Sequence, residues 1–261
     1  ELSRGLGDVY KRQVILITGA SSGIGKAIGD LLCNKNYKVY GTSRDPSKYI
    51  DTNFQLFDLN VNNSVSINLC IDEIIKIEGG IDVLINNAGI GITGPLEEIP
   101  EIEIENNFKT NFFGPLNIIK KVLPIMRSKK SGLIINITSL AAYVGTPYRS
   151  VYSASKAALD LVSETLNMET KPFNIKVVTV APGEFSTNIA SRRYHASSEK
   201  SSPYYFNYSK ALKLMNNHVD EGADPKLIGK LILKIINSKN PKKKYIAVSY
   251  THLRAHETIP D

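Results

Sequence analysis

A doubly wound α/β fold, one parallel sheet with helices on both faces, is predicted for residues 14–248 by three observations. Seven short, β-rich apolar runs recur along the chain. Helix-length segments separate most of them, and strands joined in that way build right-handed βαβ units. The runs are also nearly continuous in apolar residues, as expected of strands covered by helices on both faces.

The first strand is read at VILIT (14–18), followed by a glycine-punctuated turn and a helix over 24–35. Strands follow at YKVYGT (37–42) and NFQLFD (53–58), then a helix over 63–78. The fourth strand, IDVLIN (81–86), precedes a long helical pattern over 101–129. GLIINIT (132–138), a helix over 152–170, IKVVTVA (175–181), a helix over 224–238 and YIAV (245–248) complete the series. Between 188 and 222 the pattern lapses into polar and aromatic sequence carrying Tyr194, Tyr204, Tyr205, Phe206 and Tyr208. So long an irregular stretch in a compact domain is expected to be a substrate loop. Its aromatics suggest a bulky, largely apolar substrate under a lid, with packing on the body or at a subunit contact as the plainer alternative.

The 261 residues, 42% hydrophobic and 22% charged, fit one globular domain and exclude disordered and fibrous classes. The net charge of +7 is scattered apart from Lys242, Lys243 and Lys244. It is read as a solvated basic surface that favours anionic ligands, not as a nucleic-acid interface. Cys33 and Cys70 fall in apolar helical patterns and are expected to be buried and reduced, with no metal-ligand spacing to any histidine. No apolar run reaches the length of a membrane span, so a cytoplasmic location is the simplest expectation. The segments 1–13 and 249–261 share no periodicity with the body and resemble translated adapter sequence. They are read as non-native flanks, so the pair His252 and His256 is set aside and no metal is expected.

Three motifs carry the chemistry. ITGASSGIGKAI, from Ile17, sets Gly19, Gly23 and Gly25 between a strand and a helix. Glycines there permit a tight turn and leave helix N-terminal amides facing a pyrophosphate. INNAG (85–89) closes the fourth strand at the carboxyl edge of the sheet, where open α/β folds bind ligands, and Asn86, Asn87 and Gly89 suit a sharp turn. In VYSASKA (151–157), Tyr152 and Lys156 lie one helical turn apart and share a face. An ammonium beside a phenol favours the phenolate, so such a tyrosine can exchange a proton with an alcohol or carbonyl oxygen. The small residues Ser153, Ala154 and Ser155 between them are expected to leave room for a bulky ligand.

TGASSGIG (18–25), NNAG (86–89), Asn111, Ser139, YSASK (152–156) and PGEFST (182–187) together make the chain resemble the short-chain dehydrogenase/reductase family over about 14–248. The resemblance implies a Rossmann-type sheet of strand order 3-2-1-4-5-6-7 and a bound nicotinamide dinucleotide. It implies Tyr152 as general acid/base, Lys156 tuning it and holding the nicotinamide ribose, Ser139 steadying the substrate oxygen, and Asn111 supporting Lys156 in a proton relay. Gly19, Ser21, Ser22, Gly23, Ile24 and Gly25 fall where the pyrophosphate lies, Asp58 and Leu59 where adenine is read, and Asn87, Ala88 and Gly89 beside the ribose. Pro182, Gly183, Phe185 and Thr187 match the motif for the nicotinamide carboxamide. Family members also assemble through helices corresponding to 108–129 and 152–170, so a homodimer or homotetramer is implied.

The second strand ends in neutral Ser43 followed by Arg44, where a preference for NAD(H) commonly brings an acidic residue. A guanidinium there can pair with a 2′-phosphate, which predicts NADP(H) over NAD(H). Asp45 is a possible competitor for Arg44, and Ser22 stands where some NADP-dependent members carry a second basic residue. The expected function is an NADP(H)-dependent oxidoreductase that interconverts a carbonyl and an alcohol by hydride transfer. An NAD-dependent dehydrogenase or epimerase, or a non-catalytic NADP(H) sensor, are the alternatives.

Overall fold

The computed structural model describes residues 12–186, 192–197, 199–220 and 222–248. Strands β1 (Val14–Ile17), β2 (Lys38–Ser43), β3 (Gln55–Asp58), β4 (Val83–Asn86), β5 (Gly132–Ile137), β6 (Ile175–Pro182) and β7 (Lys244–Ala247) form one sheet. Its order is β3-β2-β1-β4-β5-β6-β7, and every pairing is parallel. The doubly wound fold is as the sequence pattern predicts, and the strand order is the one that the family resemblance implies.

Residues alternate between the two faces even though the strands are apolar throughout. Val14 and Leu16 of β1, Leu84 of β4 and Val177 of β6 point into one core cluster, with Ile71 and Ile74 of α2 (Ser64–Glu78) and Ile118, Val122 and Met126 of α4 (Gly114–Lys129). Ile15, Ile17, Val83, Ile85, Val178 and Val180 point into the other, against Ile28 and Leu32 of α1 (Gly23–Asn34) and Ile228, Ile232 and Ile235 of α7 (Lys226–Ile236). Burial on both faces is what makes these strands read as unbroken hydrophobic runs.

β1 pairs with β2 on one side and β4 on the other, Ile15 facing both Val39 and Val83. The chain reverses direction across the sheet at this strand, which opens a crevice at the carboxyl ends of β1 and β4.

Several elements differ from the sequence reading. The pattern over 101–129 is three segments: α3 (Glu101–Phe108), a π-helical turn over Lys109–Phe113, and α4. The supposedly irregular 188–222 stretch contains α6 (Tyr205–Asp220), whose buried side carries Tyr208 and Leu212 in a helical spacing. Its aromatic, polar sequence masks that period, because a single narrow stripe is enough to seat it. Two-residue strands at Ile92–Thr93 and Tyr194–His195 pair in parallel, a register too short to leave a sequence pattern. Cys70 is buried as expected, but Cys33 is only half-buried and its thiol meets the Asn53 carbonyl oxygen at 2.9 Å. Thr187 and the segments 1–11 and 249–261 lie outside the described residues. Among the described residues no helix is long and apolar enough to cross a membrane, and no cluster of metal-ligating side chains occurs.

The edge strand β7 is tied to α5 (Ser150–Thr170) by charge. Lys244 Nζ reaches Asp160 Oδ2 at 2.7 Å and Glu164 Oε2 at 2.9 Å, and Tyr143 OH donates to Asp160 Oδ1 at 2.7 Å. The hydrogen bond to Asp160, then that to Glu164, holds the Lys244 ammonium well above the ordinary lysine range. Asp160 is only 5% exposed, so removing its cation leaves a carboxylate in the interior with the tyrosine alone. Lys244→Ala is expected to cost about 1–3 kcal/mol. Thermal unfolding should register this as a fall of about 2–4 °C for each kcal/mol.

Candidate active site

Two turns meet at the crevice. Thr18 Oγ1 accepts hydrogen bonds from the backbone amides of Asn87 and Ala88, both at 3.0 Å. Asn87 Nδ2 returns bonds to the Thr18 and Gly19 carbonyls at 3.0 and 3.1 Å. The fit leaves no room for side chains. A Cβ on Gly25 would lie 2.5 Å from both Asn87 Nδ2 and the Gly19 carbonyl oxygen. Gly19 has φ +64° and abuts the Ala88 backbone, so a glycine is required there for conformation as well as space. Thr18 opens the glycine motif, but its part in the site depends on the distant Asn87 turn, which no local sequence pattern marks. Asn86 serves the structure differently from Asn87, donating to Asn136 Oδ1 at 2.8 Å.

α1 starts directly at this junction. Its N-cap, Ser22, is extended and makes no side-chain cap, so its hydroxyl leaves the first-turn amides free for an anionic ligand. Ser21, Gly23 and Ile24 line the same turn. Along the edge, Ser43 pairs with Asp58, and the Leu59 amide donates to the Ser43 carbonyl at 2.9 Å, which aligns the ends of β2 and β3. Ser43 Oγ accepts from the Asp45 amide at 3.2 Å. Asp45 turns to Lys48 Nζ at 2.8 Å and to Ser47, and the Lys48 hydrogen bond is the main cause of its lowered pKa. Arg44 is exposed and escapes the competition that its neighbour could have offered.

The second half of the site is built on α5 and the π turn. Tyr152 and Lys156 are both buried, at 6% and 5% exposure. Lys156 Nζ donates to the Ile137 carbonyl at 3.0 Å. Burial pushes the lysine below its ordinary value of 10.5, and its electrostatic interaction with Tyr152 opposes that shift. Gly89 lies between this ammonium and Asn111, for a Cβ on it would be 3.4 Å from Lys156 Nζ and 3.1 Å from Asn111 Oδ1. Asn111 is fixed by its own bonds: Oδ1 accepts from the Ile90 amide at 2.9 Å, and Nδ2 donates to the Ile90 carbonyl at 2.9 Å and to Asn107 Oδ1 and Ser155 Oγ, each at 3.2 Å. The widened π turn aims this amide inward.

Ser155 is therefore an anchor for Asn111 and wholly buried, rather than a gap left for a ligand. Ser139 opens the short turn Leu140–Ala142, which packs on α5. Its Oγ accepts from the Ala141 amide at 3.2 Å, which leaves the hydroxyl proton to donate. Arg149, unnoticed in the sequence, stands with its guanidinium 5.1 Å from the Tyr152 ring centroid. Pro182 ends β6, and the Gly183 amide donates to the Ala247 carbonyl at 2.8 Å. The Phe185 side chain is buried, 5% exposed, in the core cluster that also holds Ile28 of α1 and Ile232 of α7.

The family model for short chain dehydrogenases matches residues 13–198. The chain belongs to that family. A 3-ketodihydrosphingosine reductase of Bacteroides thetaiotaomicron is 43% identical over 230 residues, which cover 88% of this chain and 85% of the relative. Human retinol dehydrogenase 8 is 31% identical, with 95% and 85% covered. Among solved structures, a short-chain dehydrogenase from Streptomyces avermitilis superposes with a TM-score of 0.82 at 30% identity, covering 94% of this chain and 91% of that one. The protein is thus an oxidoreductase of a family that binds nicotinamide dinucleotides. The uncapped α1 amides, the turn whose Gly19 and Gly25 have no room for a side chain, and the neighbouring Asn87 turn fit such a ligand.

Lys156 is a buried cation whose cost falls on the folded state. Its folded pKa is depressed, so between that value and 10.5 the unfolded chain holds the extra proton and stability rises with pH. Lys156→Met is expected to unfold at the same or a higher temperature at neutral pH. The gap between the two proteins should narrow as pH climbs towards 10.5. Thermal melts across that range check it, and a variant markedly less stable than the parent would contradict the reading.

Proposed function

We propose that the protein is an NADP(H)-dependent carbonyl reductase whose acid–base residue is Tyr152. The observation that carries this reading is the buried Lys156 ammonium one helical turn from Tyr152, held beside Gly89 and Asn111 at the mouth of the crevice. When bound, the dinucleotide supplies or accepts the hydride.

The chain's own residues do the rest. Tyr152 O–H gives its proton to the substrate carbonyl oxygen during reduction and takes it back during oxidation. Lys156, held by the Ile137 carbonyl, keeps positive charge beneath the phenol and reaches the ribose side of the cofactor. Ser139, its Oγ lone pair occupied by the Ala141 amide, donates to the same substrate oxygen. Asn111 is a positioning residue that fixes the Ile90 backbone and borders the lysine. Gly19, Ser21, Ser22, Gly23, Ile24 and Gly25 hold the diphosphate; Asp58, Leu59, Asn87, Ala88 and Gly89 hold the adenosine and nicotinamide riboside portions; and the Pro182–Thr187 motif holds the carboxamide. Arg44 meets the 2′-phosphate, a role that the diversion of Asp45 to Lys48 leaves open to it.

The substrate reading is a long-chain ketone. Tyr152 belongs to an apolar cluster with Ile92, Ile99, Val151, Ala196 and Tyr208, flanked by Tyr148, Tyr194 and Tyr204. Tyr208 itself is core, 1% exposed and bonded through its hydroxyl to the Thr93 carbonyl at 3.0 Å, so it builds the wall and does not touch the ligand. The name of the 43% identical relative makes 3-ketodihydrosphingosine the first compound to try.

Oxidation of NADPH and NADH should be followed against long-chain and small polar ketones. Turnover is expected with NADPH and the long-chain set, and preference for the polar set would overturn the substrate reading. Tyr152→Phe should lower turnover by about 10²–10⁴-fold with cofactor affinity kept. Arg44→Asp should weaken NADPH about tenfold or more and improve NADH; an unmoved preference would remove Arg44 from the specificity role.

A further inference from the structure

Arg192 is distant in sequence from the glycine turn yet lies upon it. Its Nη1 donates to Ser22 Oγ at 3.3 Å and its Nη2 to Tyr49 OH at 3.5 Å. Tyr49 also bonds the Ser21 side chain; that bond is the main reason its pKa falls below the ordinary 10.0, and the Arg192 charge adds to the effect. Three chain segments therefore converge: the β1–α1 turn, the stretch after β2, and the stretch beyond β6.

The contacts are an incomplete match for a guanidinium. Both acceptors are neutral hydroxyls at the long end of hydrogen-bond range. Among the described residues no carboxylate pairs with Arg192, and the side chain is exposed. Beneath it, Ser22 leaves the α1 amides uncapped. An exposed cation thus rests on the N-cap residue of a helix whose first amides take no side-chain cap, and a phosphate is the chemistry that would satisfy both.

We infer that Arg192 is a second phosphate anchor for the dinucleotide, contributed by the substrate-side segment of the chain. The assignment rests on the cofactor reading proposed above. The phosphate is either the 2′-phosphate or the diphosphate, which share this chemistry. The next residue, Arg193, gives the anchor a consequence. Its Nη2 donates to Asn216 Oδ1 of α6 at 2.7 Å, and its side chain covers Gly91. Phosphate capture by Arg192 therefore restrains the backbone that carries a contact to α6 and to the loop beyond Gly89, so cofactor and substrate wall are mechanically joined.

The test is equilibrium binding, read by fluorescence of the reduced nicotinamide, for the full chain and for Arg192→Ala. Cofactor-free melting temperatures establish that the variant is folded, as expected for an exposed position. NADPH affinity is expected to fall about tenfold, the loss of one charge-assisted hydrogen bond. If NADH affinity stays within about twofold, the 2′-phosphate is the partner; if both fall alike, it is the diphosphate. Added NaCl should also weaken NADPH binding more steeply for the unaltered protein than for the variant. Unchanged affinities together with equal salt slopes overturn the assignment while leaving the proposed function intact. Failure of the unaltered protein to bind either dinucleotide removes both.

Discussion

Asn87 holds the crevice together, and most of what surrounds it follows from that one side chain. Its amide bonds two consecutive carbonyls, those of Thr18 and Gly19, while Thr18 Oγ1 takes the backbone amides of Asn87 and Ala88. Turns that end two neighbouring parallel strands are thereby locked at van der Waals distance. The lock excludes a side chain at Gly25 and forces Gly19 into the left-handed region. It also sets where Gly89 falls, and hence where Lys156 and Asn111 can approach each other.

The opposite wall is organised around a charge that the fold would do better without. Lys156 is buried with one carbonyl as its hydrogen-bond partner, and desolvation depresses its pKa. Structure alone gives no reason to keep an ammonium there; a neutral chain of similar length would pack more cheaply. The surrounding construction is correspondingly rigid. Asn111 is held by four hydrogen bonds, α5 is braced to β7 through Asp160 and Lys244, and the π turn between α3 and α4 carries the amide. A buried cation with one hydrogen-bond partner is thus a local cost that the stiff surroundings carry.

The stretch beyond β6 joins these halves. Tyr208 and Ala196 extend the apolar cluster beside Tyr152, Arg193 reaches α6, and Arg192 reaches the glycine turn. Aromatic residues that sequence alone suggests as ligand contacts are partly structural: Tyr208 is core, whereas Phe206 is 77% exposed. A helix in which a narrow stripe is buried offers too weak a period to be seen through its polar residues.

By itself the sequence determined the parallel, doubly wound sheet, because its strands and crossover helices carry strong, local hydrophobic patterns, whereas the strand order followed only from the resemblance of its motifs to a known family. It also determined the glycine turn, the asparagine turn and the pairing of Tyr152 with Lys156, since each depends on residues a few positions apart. Only the tertiary structure decided how those pieces meet: Thr18 as the acceptor for Asn87, Ser155 as a partner of Asn111, Arg149 over Tyr152, and Arg192 at Ser22. Each of these contacts spans tens of residues or more, or depends on which way a helix is turned. Local periodicity cannot encode that information, which arises when the sheet registers and the helices settle against it.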